Sequence, residues 1–121
     1  MKKILVAEDE PLMREALSEF LSMFSYQPEL AEDGKAAWEK WRCGKYDLLI
    51  SDINMPNMSG IELLRQVKEE KPDFPVILMT GVNLKKAKER ARHFKADFLF
   101  CKPFPMKNLI STIEGIFKEQ D

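Results

Sequence analysis

Tyr46-Asp47-Leu48-Leu49-Ile50-Ser51-Asp52-Ile53-Asn54-Met55-Pro56 runs apolar until an acid, Asp52, stands where the run gives way to a turn. Three other short runs end in a comparably chemical residue. Ile4-Leu5-Val6-Ala7 leads to Glu8-Asp9-Glu10, Val76-Ile77-Leu78-Met79 to Thr80, and Phe98-Leu99-Phe100-Cys101 to Lys102. Strands are therefore expected at Lys3 to Ala7, Gln27 to Ala31, Asp47 to Ser51, Val76 to Met79 and Phe98 to Cys101. The first, third and fourth lack polar alternation, as strands covered on both faces do.

Helical patterns fill the intervals. Pro11, a good first-turn residue, opens one with apolar positions at Leu12/Met13, Ala16/Leu17, Phe20/Leu21 and Phe24. Asp33-Gly34 opens a second carrying Ala37, Trp38 and Trp41, with the two tryptophans expected in the core. Ser59 is the expected N-cap of a third, with Ile61, Leu64 and Val67 inward and Lys71-Pro72 at its end. A fourth is expected from about Asn83 to Phe94, and a fifth from Pro105 to Lys118 with Leu109, Ile110, Ile113, Ile116 and Phe117. Five βα units in strict alternation predict an α/β fold, a doubly wound parallel sheet with helices on both faces. Such sheets bind ligands beyond the carboxyl ends of their strands, where Glu8-Asp9-Glu10, Asp52, Thr80 and Lys102 all fall.

The chain has 121 residues, 45% of them hydrophobic, and a formal net charge of -1. That size predicts one domain over residues 1–121, and the charge speaks against a nucleic-acid or membrane magnet. Met1-Lys2-Lys3 precedes only four apolar residues before Glu8, too few for a secretory signal, so a soluble, cytoplasmic protein is expected. Cys43 and Cys101 suit a reducing compartment and are expected to pack as small hydrophobes.

Acids, a hydroxyl and an amine at four strand ends point to phosphoryl transfer onto a carboxylate. A carboxylate attacks phosphorus poorly while both carry negative charge, and a divalent cation removes that obstacle. Mg²⁺ takes oxygen ligands and keeps several waters, so a few protein oxygens suffice; Mn²⁺ or Ca²⁺ are expected substitutes. Asp9 and Asp52 are candidate ligands, with Glu8 direct or through water and the backbone carbonyl of Asn54 as another. Mutual repulsion should raise at least one carboxyl pKa. Lys102 would pair with phosphoryl oxygens and Thr80 would donate its hydroxyl to another. Each piece alone is ordinary: acidic first turns are usually solvated, and a Thr after a strand is often a cap. Their joint placement is not.

These residues resemble the receiver domain of two-component response regulators over essentially the whole chain. Ile4 to Pro11 is similar to that family's first strand and acidic pocket, and Asp47 to Gly60 to its phosphoacceptor strand and loop. Met79-Thr80-Gly81 matches its switch hydroxyl, and Lys102-Pro103-Phe104 its lysine-proline motif. The resemblance implies a flavodoxin-like (βα)5 sheet in order 2-1-3-4-5 and a cis Lys102-Pro103 bond. It implies a Mg²⁺-dependent phosphoacceptor at Asp52, self-catalysed rather than an enzyme acting on other substrates. It implies a sensor histidine kinase or His phosphotransfer protein as donor. It also implies an output partner on the face of the fourth helix, fifth strand and fifth helix, in a monomer or a phosphorylation-dependent dimer.

Three departures stand out: Glu8 where the family more often has Asp, Leu99 where it often has Tyr or Phe, and Lys95 in place of a frequent Gly. Val82 and Asn54 are expected to border the path of hydrolytic water. The fourth helix carries Lys85, Lys86, Lys88, Arg90, Arg92 and Lys95 against Glu89, and its basic side is expected to be a solvated or partner-docking face. His93, the single histidine, is expected at the surface. A dehalogenase-type phosphatase is the main rival, but it would want a second acid where Asn54 stands. A flavodoxin would want more hydroxyls and glycines than Thr80-Gly81-Val82-Asn83 supplies.

Overall fold

The structure is a computed structural model describing residues 1–81 and 84–120. Five strands alternate with five helices: β1 Lys3–Ala7, α1 Pro11–Met23, β2 Gln27–Ala31, α2 Gly34–Cys43, β3 Leu48–Asp52, α3 Gly60–Glu70, β4 Val76–Thr80, α4 Leu84–His93, β5 Phe98–Cys101 and α5 Met106–Gln120. The sheet is parallel throughout, in the order β2-β1-β3-β4-β5, which is the flavodoxin-like order expected. β1 lies between β2 and β3, so the winding reverses there and opens a crevice at the strand ends.

Side chains alternate across the sheet with period two. Leu5, Ala7, Leu49, Val76 and Leu78 face one core with Ala37, Trp41, Leu63, Leu64, Ala87 and Ala91 from α2, α3 and α4. Ile4, Val6, Leu48, Ile50, Ile77 and Met79 face the other with Leu17, Leu21, Leu109, Ile110, Ile113 and Phe117 from α1 and α5. Each of these large side chains contributes about 1.5–3 kcal/mol by leaving water, so the three inner strands clamp the positions of the residues that follow them.

Helix ends follow their caps. Glu10 accepts from the N–H groups of Leu12 and Met13, Asp33 from Ala36, and Ser59 from Glu62. At the end of α4, Lys95 adopts φ 65° while its N–H and that of Ala96 bond back to Arg92 and Ala91. This is the Schellman closure, with a lysine in the left-handed position glycine normally fills.

The expected boundaries shift by a residue or two. β3 and β4 extend through Asp52 and Thr80, and Asp47 instead accepts the Lys3 backbone N–H at 2.7 Å. The expected start of the fourth helix at Asn83, and the role expected of Val82, lie outside the described residues. Leu12, one of the apolar positions of the first helical pattern, is 77% exposed, because α1 settles on Leu17 and Leu21. Cys43 and Cys101 are exposed rather than packed, Cys43 at the free end of α2 and Cys101 at the end of an edge strand. Trp41 is buried and stacks on Trp38 at 5.6 Å, as the core expectation required.

Candidate functional site

Four strand ends deliver their side chains to one crevice. Glu8, just past β1, is fully buried; its Oε1 accepts from Lys102 Nζ at 2.5 Å and its Oε2 from the Glu10 N–H at 3.2 Å. Asp52 closes β3, is 7% exposed, and has Oδ2 3.6 Å from the same Nζ. Glu8, Asp9 and Asp52 bring carboxylate oxygens within 4.8 Å of one another, with Asp9 on the solvent side. Thr80 ends β4 almost wholly buried, and Asn54 is exposed two residues past Asp52. Glu8, Asp9, Asp52, Asn54, Thr80 and Lys102 thus lie at the carboxyl ends of the strands.

Local structure holds them there. The Ile53 N–H bonds to the Met79 carbonyl at 2.9 Å, and the Lys102 N–H to the Thr80 carbonyl at 2.7 Å, so β3, β4 and the Lys102 turn are stitched side by side. The Lys102-Pro103 peptide is cis. Gly60 starts α3 so close to β3 that an added Cβ would lie 2.1 Å from the Asp52 carbonyl oxygen. Gly34 stands in the same relation to the loop between β3 and α3, its Cβ position 2.0 Å from the Met58 carbonyl oxygen.

Two supports were not readable in the sequence. Arg14 Nη1 donates to the Glu8 carbonyl at 2.8 Å and steadies the acidic turn. The Asn57 amide donates to Asp33 Oδ2 at 2.9 Å, tying the loop after β3 to the start of α2. Both bonds join residues with no periodic relation; only the turn chemistry of Asn57, at φ 69°, hints at the second.

Burial is the first cause that holds the Glu8 and Asp52 carboxyls above their ordinary range. Repulsion between Glu8 and Asp52, and from Asp9 onto Asp52, adds to it, while Lys102 opposes it. Burial pulls Lys102 down, but its bond to Glu8 and the charges of Asp52 and Glu8 outweigh that and hold it above its ordinary value. The expected rise is present, with desolvation ahead of mutual repulsion as its cause. Three carboxylates against one ammonium leave two formal negative charges in excess. The donors are all hard oxygens, without thiol or imidazole, so the cluster suits Mg²⁺.

Of the three departures, Glu8 reaches Lys102 directly and Lys95 takes the left-handed turn. Leu99 is half-buried and packs against the core on the α4 side. His93 is exposed, as expected. Among the described residues no helix is long and apolar enough to cross a membrane.

A family model described as the response regulator receiver domain matches residues 4–114. The chain is 36% identical to the response regulator receiver protein CpdR of Brucella abortus, covering 94% of this chain and 95% of that one. It is 33% identical to the transcriptional regulatory protein RprY of Bacteroides fragilis over 96% of its own length but 49% of the relative's. It thus spans about half the length of several curated relatives that it matches. Among solved structures, the response regulator TrrA of Thermotoga maritima, in complex with Mg(2+)-BeF, aligns with a TM-score of 0.87 at 35% identity, over 96% of this chain and 99% of that one.

Proposed function

The chain belongs to the response regulator receiver domain family, and on that footing we propose that Asp52 is the residue that accepts the phosphoryl group. Receiver domains of two-component systems take phosphoryl groups, bind Mg²⁺ through an acidic pocket, and work with sensor kinases and output domains. The observation that carries the assignment is the crevice itself: a buried Asp52 carboxylate 3.6 Å from Lys102 Nζ, with Glu8 and Asp9 carboxylates within 4.8 Å.

An Asp52 oxygen attacks the phosphorus of a phosphohistidine presented by a sensor histidine kinase or His phosphotransfer protein. A P–O bond forms, the P–N bond breaks, and the imidazole leaves with the electron pair. Glu8, Asp9, Asp52 and the Asn54 carbonyl would hold Mg²⁺, which when bound neutralises charge between carboxylate and phosphoryl oxygens. Lys102 supplies a second positive charge, already aimed at both acids. Lys102 is half-buried, and its contacts with Glu8 and Asp52 hold that charge in place. Thr80 offers its hydroxyl to the phosphoryl group from the neighbouring strand. The product is a mixed anhydride that hydrolyses within the same site, so the chain acts as a transient phosphoacceptor and not as an enzyme on other substrates.

The output lies on the face of α4, β5 and α5. Thr80 ends β4 next to the segment leading into α4, so a shift of Thr80 toward the phosphoryl group biases that face between two populations. We place the protein in the cytoplasm with its donor.

Acetyl phosphate with Mg²⁺ should add one phosphoryl group, seen by intact mass, and Asp52→Asn should abolish the addition. An unchanged mass, or equal labelling of the Asn variant, refutes the assignment.

A further inference from the structure

Beside the phosphoacceptor crevice lies a cleft of about 220 Å³ lined by Ile53, Asn54, Ile61 and Thr80 and, from α4, by Lys86, Ala87 and Arg90. We propose that this cleft is the leaving-group subsite of a small-molecule donor, and that Lys86 and Arg90 make it selective for acyl phosphates. The proposal rests on the reading of Asp52 as phosphoacceptor.

The placement follows from the fold. Thr80 has the strand parity of Val76 and Leu78, which face the α3 and α4 side of the sheet, so the cleft opens there. Buried Ala87 and Ala91 seat α4 on that side. Lys86 and Arg90 are one turn apart and therefore share a helix face. Both are exposed, and neither has an ion-pair partner among the described residues. Glu89, the one acid of α4, forms no ion pair with them. Two cations without an ion-pair partner among the described residues thus line a space that also touches Asn54 and Thr80.

Its size sets the ligand. Drug-sized ligands occupy clefts of roughly 300–1,000 Å³, whereas a water takes about 30 Å³. The cleft therefore suits a fragment such as acetate and not a nucleotide. When an acyl phosphate donates, the Asp52 oxygen forms a P–O bond and the bond between phosphorus and the acyl oxygen breaks. The electron pair leaves on a carboxylate, which carries a full negative charge. When phosphoramidate donates, the P–N bond breaks and the nitrogen leaves as neutral ammonia, its proton already acquired. Cations at the exit stabilise the first departure and not the second, because only there does negative charge develop on the leaving group.

The rates of phosphorylation by acetyl phosphate and by phosphoramidate, each with Mg²⁺, are to be measured by intact mass for the wild type and two double variants. Lys86→Gln/Arg90→Gln removes the cleft cations. Lys88→Gln/Arg92→Gln removes the same net charge from residues that flank a separate groove beside β5. The first pair should slow acetyl phosphate about tenfold and phosphoramidate less than twofold; the second should alter the ratio of the two rates less than twofold. An equal loss with both donors, an unchanged ratio, or the same shift in the second pair overturns the proposal. Phosphoramidate labelling of Asp52 in every variant would leave the phosphoacceptor reading standing whichever way the ratio falls.

Discussion

Asp52→Asn should make the Mg²⁺-free protein more stable while removing its chemistry. The substitution keeps the shape of the side chain and deletes one negative charge. With their oxygens no more than 4.8 Å apart, repulsion from Glu8 is at least about 3.5 kcal/mol with an effective dielectric constant near 20. Attraction to Lys102 at 3.6 Å is about 4.6 kcal/mol on the same basis. Asp9 adds repulsion, discounted because it faces solvent. Attraction and repulsion therefore nearly cancel, and desolvation decides the sign: a carboxylate 7% exposed is costly by several kcal/mol, an amide by less. The direction agrees with the raised Asp52 carboxyl. A folded pKa above the unfolded one means stability that is present in acid and lost as pH rises through the folded value. The Asn variant should accordingly gain about 1–2 kcal/mol at neutral pH in EDTA, or roughly 3–8 °C in Tm for a domain of this size. In Mg²⁺ the wild type should recover that gap by ligand linkage while the variant, with one ligand fewer, gains less. Thermal unfolding in EDTA and in Mg²⁺ measures both. A variant less stable than wild type in EDTA, or one with an equal Mg²⁺ gain, would refute the reasoning.

Gly60→Ala should cost about 1–3 kcal/mol in urea unfolding, because its Cβ would press on the Asp52 backbone, and should weaken Mg²⁺ stabilisation as well. If stability falls without any change in the Mg²⁺ gain, Gly60 supports the fold but not the site. Lys95→Gly should raise stability by up to about 1 kcal/mol, since it relieves a left-handed lysine at some cost in unfolded-state entropy; a loss in urea unfolding would count against the strain. The Asp33 carboxyl is held low chiefly by the Ala36 N–H and then by Asn57. Its stabilisation is full above the ordinary aspartate range and lost as pH falls below about 4 toward the folded value. Asp33→Ser keeps a cap without that charge, so wild type should lose more stability than the variant on acidification; parallel pH curves would remove Asp33 from the account.

What the sequence disclosed was whatever local chemistry determines. Uninterrupted apolar runs at Leu5, Leu49 and Leu78 announce strands covered on both faces, and Ser59, Asp33 and Pro11 announce helix starts. Because each strand ended in a distinctive residue, the parallel topology brought Glu8, Asp52, Thr80 and Lys102 together. That Leu12 is exposed could not be read, because apolar periodicity does not say which edge of the stripe meets the sheet. Cys43 and Cys101 escaped the reading because composition says nothing of where an element stops or which strand is an edge. The bond between Asn57 and Asp33 and the flanking of the cleft by Lys86 and Arg90 depend on distances between elements, which no spacing along the chain records.

Glu8 shows how one methylene alters a site whose parts are otherwise legible. Its longer side chain places one oxygen on Lys102 and the other on the Glu10 N–H, so a fully buried carboxylate has both oxygens satisfied by protein. Lys102 is consequently held 2.5 Å from Glu8 and 3.6 Å from Asp52. Among the described residues no buried side-chain nitrogen or oxygen is left without a partner, so the excess charge is not a packing fault. What remains is an imbalance of charge, with Lys102 nearer Glu8 than Asp52, the proposed phosphoacceptor. A phosphoryl group on Asp52 would carry more negative charge than the carboxylate it replaces and would compete with Glu8 for the same amine. The ion pair that satisfies Glu8 at rest is thus also the interaction that phosphorylation of Asp52 would have to redistribute, which would couple the charge state of β3 to the turn that follows β5.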